Sequence, residues 1–350
     1  MKFIETRALH EWLDRLAQEM PLIAPTAVGP QEKAPGSRNP AAQGQQVFYR
    51  EVEGAAQIAW DFTRTALSAR EHFMPKTETL FTIETGPDGK AVLHETKLAQ
   101  PRVFFGIRPC DARGLRVLDA VMLGQEPADV YYAQRRQNTT LVGLACPQMW
   151  EDCFCNSVGG APDAADDVDI LLIQVEGGFA VQVVTAKGER LAAGMGLQEV
   201  ERLELPQPKL NEQFALPTQQ QWLASFNDVY WQRVGDRCLS CRICSYVCPT
   251  CRCFDVRDET VVTPQGERIV RRVRAWDSCQ GVNYRVQAGG ANPRANLEQR
   301  LRNRFYCKYY YVPIDYAADG CVGCGRCVIA CPVNIDIREV LQDLARREPA

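Results

Sequence analysis

The chain has 350 residues, 46% of them hydrophobic, enough to bury a sizeable core and to build two or three domains. Its 40 Lys and Arg against 43 Asp and Glu leave a formal charge of −3, which gives no global case for binding nucleic acid or an anionic membrane surface. The opening MKFIETRALHEWLDRLAQEM has no apolar signal region and no membrane-length apolar run follows, so a cytoplasmic protein is expected, whose 16 cysteines point to metal or redox chemistry and away from disulfides.

In chain order, residues 6 to 20 place Leu9, Trp12, Leu13, Leu16 and Met20 on one face of a predicted helix. Residues 26 to 47, rich in Pro, Gly, Gln and Ala, read as an extended linker or loop. TLFTIE and AVLHET, on either side of a GPDG turn at 86 to 89, predict a hairpin. RVFFGI (102 to 107), a helix capped by Asp111, and the apolar strand TTLVGLA ending at Cys146 predict a βαβ unit. DILLIQV and FAVQVV, split by EGG at 176 to 178, predict a second hairpin, so residues 1–205 read as one α/β domain. Residues 206–235 form a Pro-punctuated linker and a lead-in helix in which Trp222, Phe226, Val229, Tyr230 and Val234 share a face. Residues 236–350 alternate cysteine motifs with short helices, including Leu297/Leu301/Phe305 and Ile337/Val340/Leu341/Leu344, and predict a mainly helical dicluster ferredoxin-like domain.

Cys238, Cys241, Cys244 and Cys248-Pro249 form C-x2-C-x2-C-x3-C-P, and Cys321, Cys324, Cys327 and Cys331-Pro332 repeat it, which points to two [4Fe–4S] clusters. Three closely spaced thiolates wrap one face of a cubane, while the fourth is carried on to the other cluster. The predicted ligand sets are therefore Cys238, Cys241, Cys244 and Cys331 for one cluster, and Cys321, Cys324, Cys327 and Cys248 for its partner. A pair of zinc ribbons would show C-x2-C pairs instead of runs of four closed by Pro. From Arg268 to Lys308 there are ten Lys or Arg against Asp277 and Glu298. They read either as cations compensating the clusters or as a docking face for an acidic partner.

A second group, Cys110, Cys146, Cys153 and Cys155, lies in the α/β part. Cys110 and Cys146 each follow an apolar strand, so in a parallel sheet both emerge at its carboxyl edge, and the C-F-C loop can return there. These four are a candidate third cluster site, against the alternative of four separate core cysteines. Cys251, Cys253 and Cys279 are surplus to the two cubanes and read as packing residues, ligands of a further centre, or redox-active thiols. None of His10, His72 and His94 lies near a cysteine motif, which disfavours mixed Cys/His sites. No G-x-G-x-x-G opens a helix after a strand and there is no P-loop, so no flavin, NAD or nucleotide is expected on this chain. No catalytic constellation is visible either.

FFGIRPCDARGLRVLDAV, VGLACPQMWEDCFCNSVGGAP, CLSCRICSYVCPTCRCFDV, RVRAWDSC, GGANPR and GCVGCGRCVIACPVNIDI resemble the iron–sulfur β subunit of cytoplasmic sulfhydrogenase-type nickel–iron hydrogenases and, equally, the corresponding iron–sulfur subunit of the anaerobic sulfite reductase. The resemblance implies an electron-transfer subunit between a flavin subunit that binds NAD(P)H and a hydrogenase or a sirohaem sulfite reductase. It carries over the eight ferredoxin-motif cysteines together with Cys110, Cys146, Cys153 and Cys155. Cys307-Lys308 stands where the family pattern has His-Lys, which leaves the role of Cys307 open. Two other classes are weighed beside this one: a thiol or disulfide reductase using the surplus cysteines, and a zinc-stabilised scaffold.

Overall fold

The computed structural model describes residues 1–29, 46–86, 88–96, 100–264, 266 and 268–347. Strand β1 (Lys2–Glu5) leads directly into helix α1 (Thr6–Glu19), whose Leu9, Trp12, Leu13 and Leu16 form its buried face. Strands β2 (Leu22–Val28) and β3 (Gln46–Val52) pair antiparallel in register from Leu22↔Val52 to Val28↔Gln46. The linker predicted over 26–47 is thus strand at both ends, and residues 30–45 lie outside the described residues.

The predicted hairpin is present as β4 (Thr77–Thr85) and β5 (Ala91–Glu95), and the predicted βαβ unit as β6 (Arg102–Ile107), α2 (Pro109–Met122), a further helix α3 (Val130–Gln137) and β7 (Thr139–Leu144). Asp111 does not cap α2. The helix starts from extended Arg108 with Pro109 in its first turn, a position where the missing N–H costs nothing, and this puts Asp111 inside the first turn. The second predicted hairpin is β8 (Ile170–Val175) with β9 (Gly178–Val183), followed by α4 (Ala186–Ala192) and the short β10 (Gln198–Glu199).

These strands make one eight-stranded sheet in the order β10-β1-β9-β8-β7-β6-β2-β3. The central strands β8, β7, β6 and β2 run parallel, and antiparallel strands close both edges. Side chains alternate across a strand, so each parallel strand feeds two cores. Val103, Phe105, Val142, Leu144, Ile170 and Leu172 face α1, while Phe104, Leu141 and Leu171 face α2 and Tyr132.

The predicted lead-in helix is two helices, α5 (Gln219–Ala224) and α6 (Tyr230–Asp236). Between them Asp228 turns its carboxylate onto the Tyr230 N–H at 2.7 Å, a local bond that competes with helix continuation. Helix α7 (Ile243–Tyr246) follows the first cysteine loop, and then comes a long ribbon, β11 (Phe254–Val262) and β12 (Arg268–Trp276). This corrects the expectation of a mainly helical region there. The ribbon joins β4 and β5 in a second sheet, β11-β12-β4-β5, so it crosses the division drawn at 205 and 236. Buried Arg274 on β12 anchors it through Glu78 on β4, at 2.7 Å, and through Asp129 at the start of α3.

Helix α8 (Leu297–Tyr306) opens on an Asn296–Gln299 capping box and runs into a π-helical turn, Cys307–Tyr311, then α9 (Val312–Tyr316). Helix α10 (Arg326–Ile329) follows the second cysteine loop, and α11 (Ile337–Ala345) closes the chain. Trp222, Trp231, Leu301, Phe305, Tyr306, Ile337, Val340, Leu341 and Leu344 form the third core, which holds α5, α6, α8 and α11 together behind the cysteine loops. No helix among the described residues is long and apolar enough to cross a membrane.

Candidate metal centres

The two C-x2-C-x2-C loops share one backbone path. Positions three and five are left-handed in both, Ser240 and Arg242 at φ of 53° and 67°, Gly323 and Gly325 at 65° and 72°. The residue types differ because the surroundings differ. A Cβ on Gly323 would fall 2.5 Å from the Phe154 carbonyl carbon and the Cys155 nitrogen, so the second loop lies flat against residues 152–155. The first loop lies at the surface, with Cys241 exposed. In each loop an N–H two residues on turns back to the first thiol, Ser240 to Cys238 at 3.4 Å and Gly323 to Cys321.

Each fourth cysteine stands among the other loop's three. Cys238 lies within electrostatic reach of Cys241, Cys244 and Cys331, and Cys244 likewise of Cys241 and Cys331. Cys321, Cys324 and Cys327 each lie within reach of Cys248, and these four thiols line a small pocket with Phe154, Pro249 and Lys308. The first group is called site I and the second site II. Burial pushes the thiols of Cys324 and Cys327 up to about 11. Cys248 goes the other way: a hydrogen bond from Cys251 holds it well below an ordinary thiol against the cost of burial, helped by Lys308 and Thr250.

The four cysteines of the α/β part also meet. Cys110 follows β6 and Cys146 follows β7, and parallel pairing from Arg102↔Thr139 to Ile107↔Gly143 delivers both to one sheet edge. Cys110 lies within electrostatic reach of Cys146, and Cys146 and Cys155 of Cys153. This group, site III, adjoins site II: Cys110 reaches Cys324, and the Cys153 thiol points at the Cys324 carbonyl at 3.9 Å. Burial pushes Cys155 up to about 12.

Buried cations stand between the sites. Arg304 faces Cys244 of site I and Cys327 of site II. Burial works against its charge, and these thiolates more than offset it. Its Nε and Nη2 are buried with no hydrogen-bond partner in the protein among the described residues. Lys308 Nζ donates to Cys248 Sγ at 3.0 Å and to Thr250 Oγ1 at 2.8 Å. Arg326, beside Cys324 and Cys110, forms a two-pronged pair with Asp111. A buried guanidinium with orphaned N–H groups needs an anion, and a thiolate-ligated iron–sulfur cluster is one. Of the ten cations between 268 and 308, Arg274, Arg300, Arg304 and Lys308 are buried, so part of this basic stretch is interior charge and not a docking face. Sequence reasoning missed Arg70, which donates to the carbonyls of Tyr246 (2.9 Å) and Cys251 and stacks on Trp276 at 3.5 Å; no local pattern signals such a long-range clamp.

Two cysteine loops of this spacing, with each fourth thiol set among the other's three, define a dicluster iron–sulfur protein, and residues 237–335 match the family described as 4Fe-4S dicluster domain. Over 323 residues, 87% of this chain and 91% of the relative, the sequence is 32% identical to Sulfhydrogenase 2 subunit beta of Pyrococcus furiosus. The chain belongs to that family of iron–sulfur hydrogenase β subunits. No solved structure matches it.

Proposed function

We propose that this chain is an electron relay in a multisubunit oxidoreductase, carrying electrons between a flavin subunit that binds NAD(P)H and a terminal redox enzyme. In this reading Cys238, Cys241, Cys244 and Cys331 hold one [4Fe–4S] cluster, Cys248, Cys321, Cys324 and Cys327 the second, and Cys110, Cys146, Cys153 and Cys155 a third. Bound there, the clusters supply one-electron transfer. The observation that carries the reading is continuity: site I adjoins site II through Cys244 and Cys248, and site II adjoins site III through Cys324 and Cys110. Both ends of the row reach solvent, at exposed Cys241 and at an open cleft beside Cys153. Residues 236–350 supply the first two sites, residues 1–205 the third, and 206–235 lead from one part to the other.

The chain's own residues supply what a relay needs. Thiols and N–H groups hold each cluster in place, Arg304, Lys308 and Arg326 balance its negative charge, and the aromatic core behind the loops keeps water out. The name of the relative favours a hydrogenase as the terminal partner. Anaerobic co-purification tests this. Hydrogenase subunits should accompany the chain together with a flavin-binding one. Recovery with a sirohaem sulfite reductase would redirect the terminal partner, and an isolated chain reducing disulfides by itself, or holding zinc in place of iron, would overturn the relay.

A further inference from the structure

Cys251, Cys253, Cys279 and Cys307 lie outside the three sites, and three of them meet. The ribbon pairs from Phe254↔Trp276, so its open end, away from the turn, brings Cys253, just before β11, next to Cys279, just after β12. The Asp277 N–H fixes this end on the Cys253 carbonyl at 3.0 Å, and the two thiols share a hydrogen bond. Cys307 arrives from a third element as the first residue of the π-helical turn and lies within electrostatic reach of Cys279. Such turns insert one residue into a helix and re-aim a side chain, often at a functional site. The trio also has polar donors around it: Arg252 Nη1 stands 3.8 Å from Cys307 Sγ, and Gln280 Nε2 stands 3.8 Å from Cys279 Sγ.

We infer that Cys253, Cys279 and Cys307 hold a fourth iron–sulfur cluster, here called site IV. The inference rests on the proposal that the other three thiol sets hold clusters. Cys251 is not part of it, because its thiol bonds to Cys248 at site II. Three thiolates leave one iron open to a ligand from outside the protein. Among the described residues no three metal-binding side chains are gathered tightly enough for a single ion, whereas a cubane needs its thiolates spread more widely. A redox dithiol would need only two cysteines and an approach for its exchange partner. Here a third thiol is supplied, and Cys279 is only 7% exposed. The Cys307 side chain packs with Cys110 and Cys324 against Val117, Val312 and Val322, so site IV adjoins sites II and III and stands as a branch off the row.

The test is anaerobic reconstitution of the full-length chain with ferrous iron and sulfide, followed by iron and acid-labile sulfide assays and electron paramagnetic resonance. Cys279→Ser and Cys307→Ala should each lower iron by about 4 per chain relative to the unchanged protein while the signals of sites I and II persist. Cys307→His should retain that iron, because an imidazole can take a thiolate's place on a cluster iron. A full iron count in Cys279→Ser, or a Cys253–Cys279 disulfide forming on air exposure at unchanged iron content, would overturn site IV alone. An unchanged chain that takes up no iron would overturn all four sites together.

Discussion

Arg326 and Asp111 are 215 residues apart in sequence and form a bidentate ion pair, with both N–H···O distances at 2.7 Å and both side chains almost completely buried. The pair ties the second cysteine loop to the first turn of α2, and it sits between Cys324 of site II and Cys110 of site III. A further arm of Arg326 donates to the Thr65 carbonyl at 2.8 Å. This guanidinium therefore fixes the position of one site relative to the next.

Removing one partner strands the other charge in the interior, which costs about 3–5 kcal/mol. Asp111→Asn should lower stability by that amount in denaturant unfolding. The double variant Asp111→Leu with Arg326→Met should be less destabilised than the sum of the single changes, and strict additivity would show that the two residues act separately.

The fourth cysteines should cross over. Cys331→Ser is expected to damage the cluster held by Cys238, Cys241 and Cys244, and Cys248→Ser the cluster held by Cys321, Cys324 and Cys327. Electron paramagnetic resonance of the reduced variants distinguishes the two. Damage confined to the cluster of each variant's own loop would reverse the assignment.

Lys308 puts a positive charge and a donor on Cys248 Sγ at 3.0 Å. Such contacts stabilise the more negative, reduced cluster, so Lys308→Met should lower the potential of site II. A loss of about 1.4 kcal/mol of differential stabilisation corresponds to roughly 60 mV for a one-electron couple. A redox titration that returns an unshifted or raised potential would remove this role.

The left-handed positions of the two loops should respond unequally. Gly323→Ala drives a Cβ into the backbone of residues 154 and 155, so the interface between sites II and III should loosen and stability should fall. Ser240→Gly relieves a side chain held at φ 53° but removes its hydroxyl bond to the Gln280 carbonyl at 2.8 Å, so the two effects offset and stability should change by less than about 1 kcal/mol. Thermal unfolding of the two variants side by side provides the comparison.

Burial, opposed by Glu71 and reinforced by Arg102, pushes the His72 imidazole down to about 4. Its Nε2 lies 3.1 Å from the Tyr49 carbonyl, the geometry of a neutral ring donating there. The unfolded chain takes up this proton near an ordinary histidine value of about 6.5 and the folded chain does so later, so stability is fully present above that value and drains away as pH falls toward 4. His72→Gln keeps a donor and does not titrate. Its stability should vary less across this window, and an identical pH slope in both proteins would assign the effect elsewhere.

What the sequence alone determined is what short-range spacing encodes. The two C-x2-C-x2-C-x3-C-P runs named the dicluster class because each covers a single turn of chain, and the apolar runs at 102–107 and 139–144 named a βαβ unit because strands buried on both faces must be apolar throughout. That unit by itself also places Cys110 and Cys146 at one edge. The ribbon over 254–276 was not legible, since β11 is exposed nearly along its whole length and so carries no burial pattern; it is held by backbone pairing to β12. The break between α5 and α6 depended on one Asp228 bond that competes with a good helical face. Only the tertiary structure set Asp111 against Arg326, Lys308 against Cys248, and Cys279 beside Cys253 and within electrostatic reach of Cys307. Those contacts join segments far apart in the chain, where periodicity carries no information, and each depends on burial that forces a charge or a thiol to find its partner.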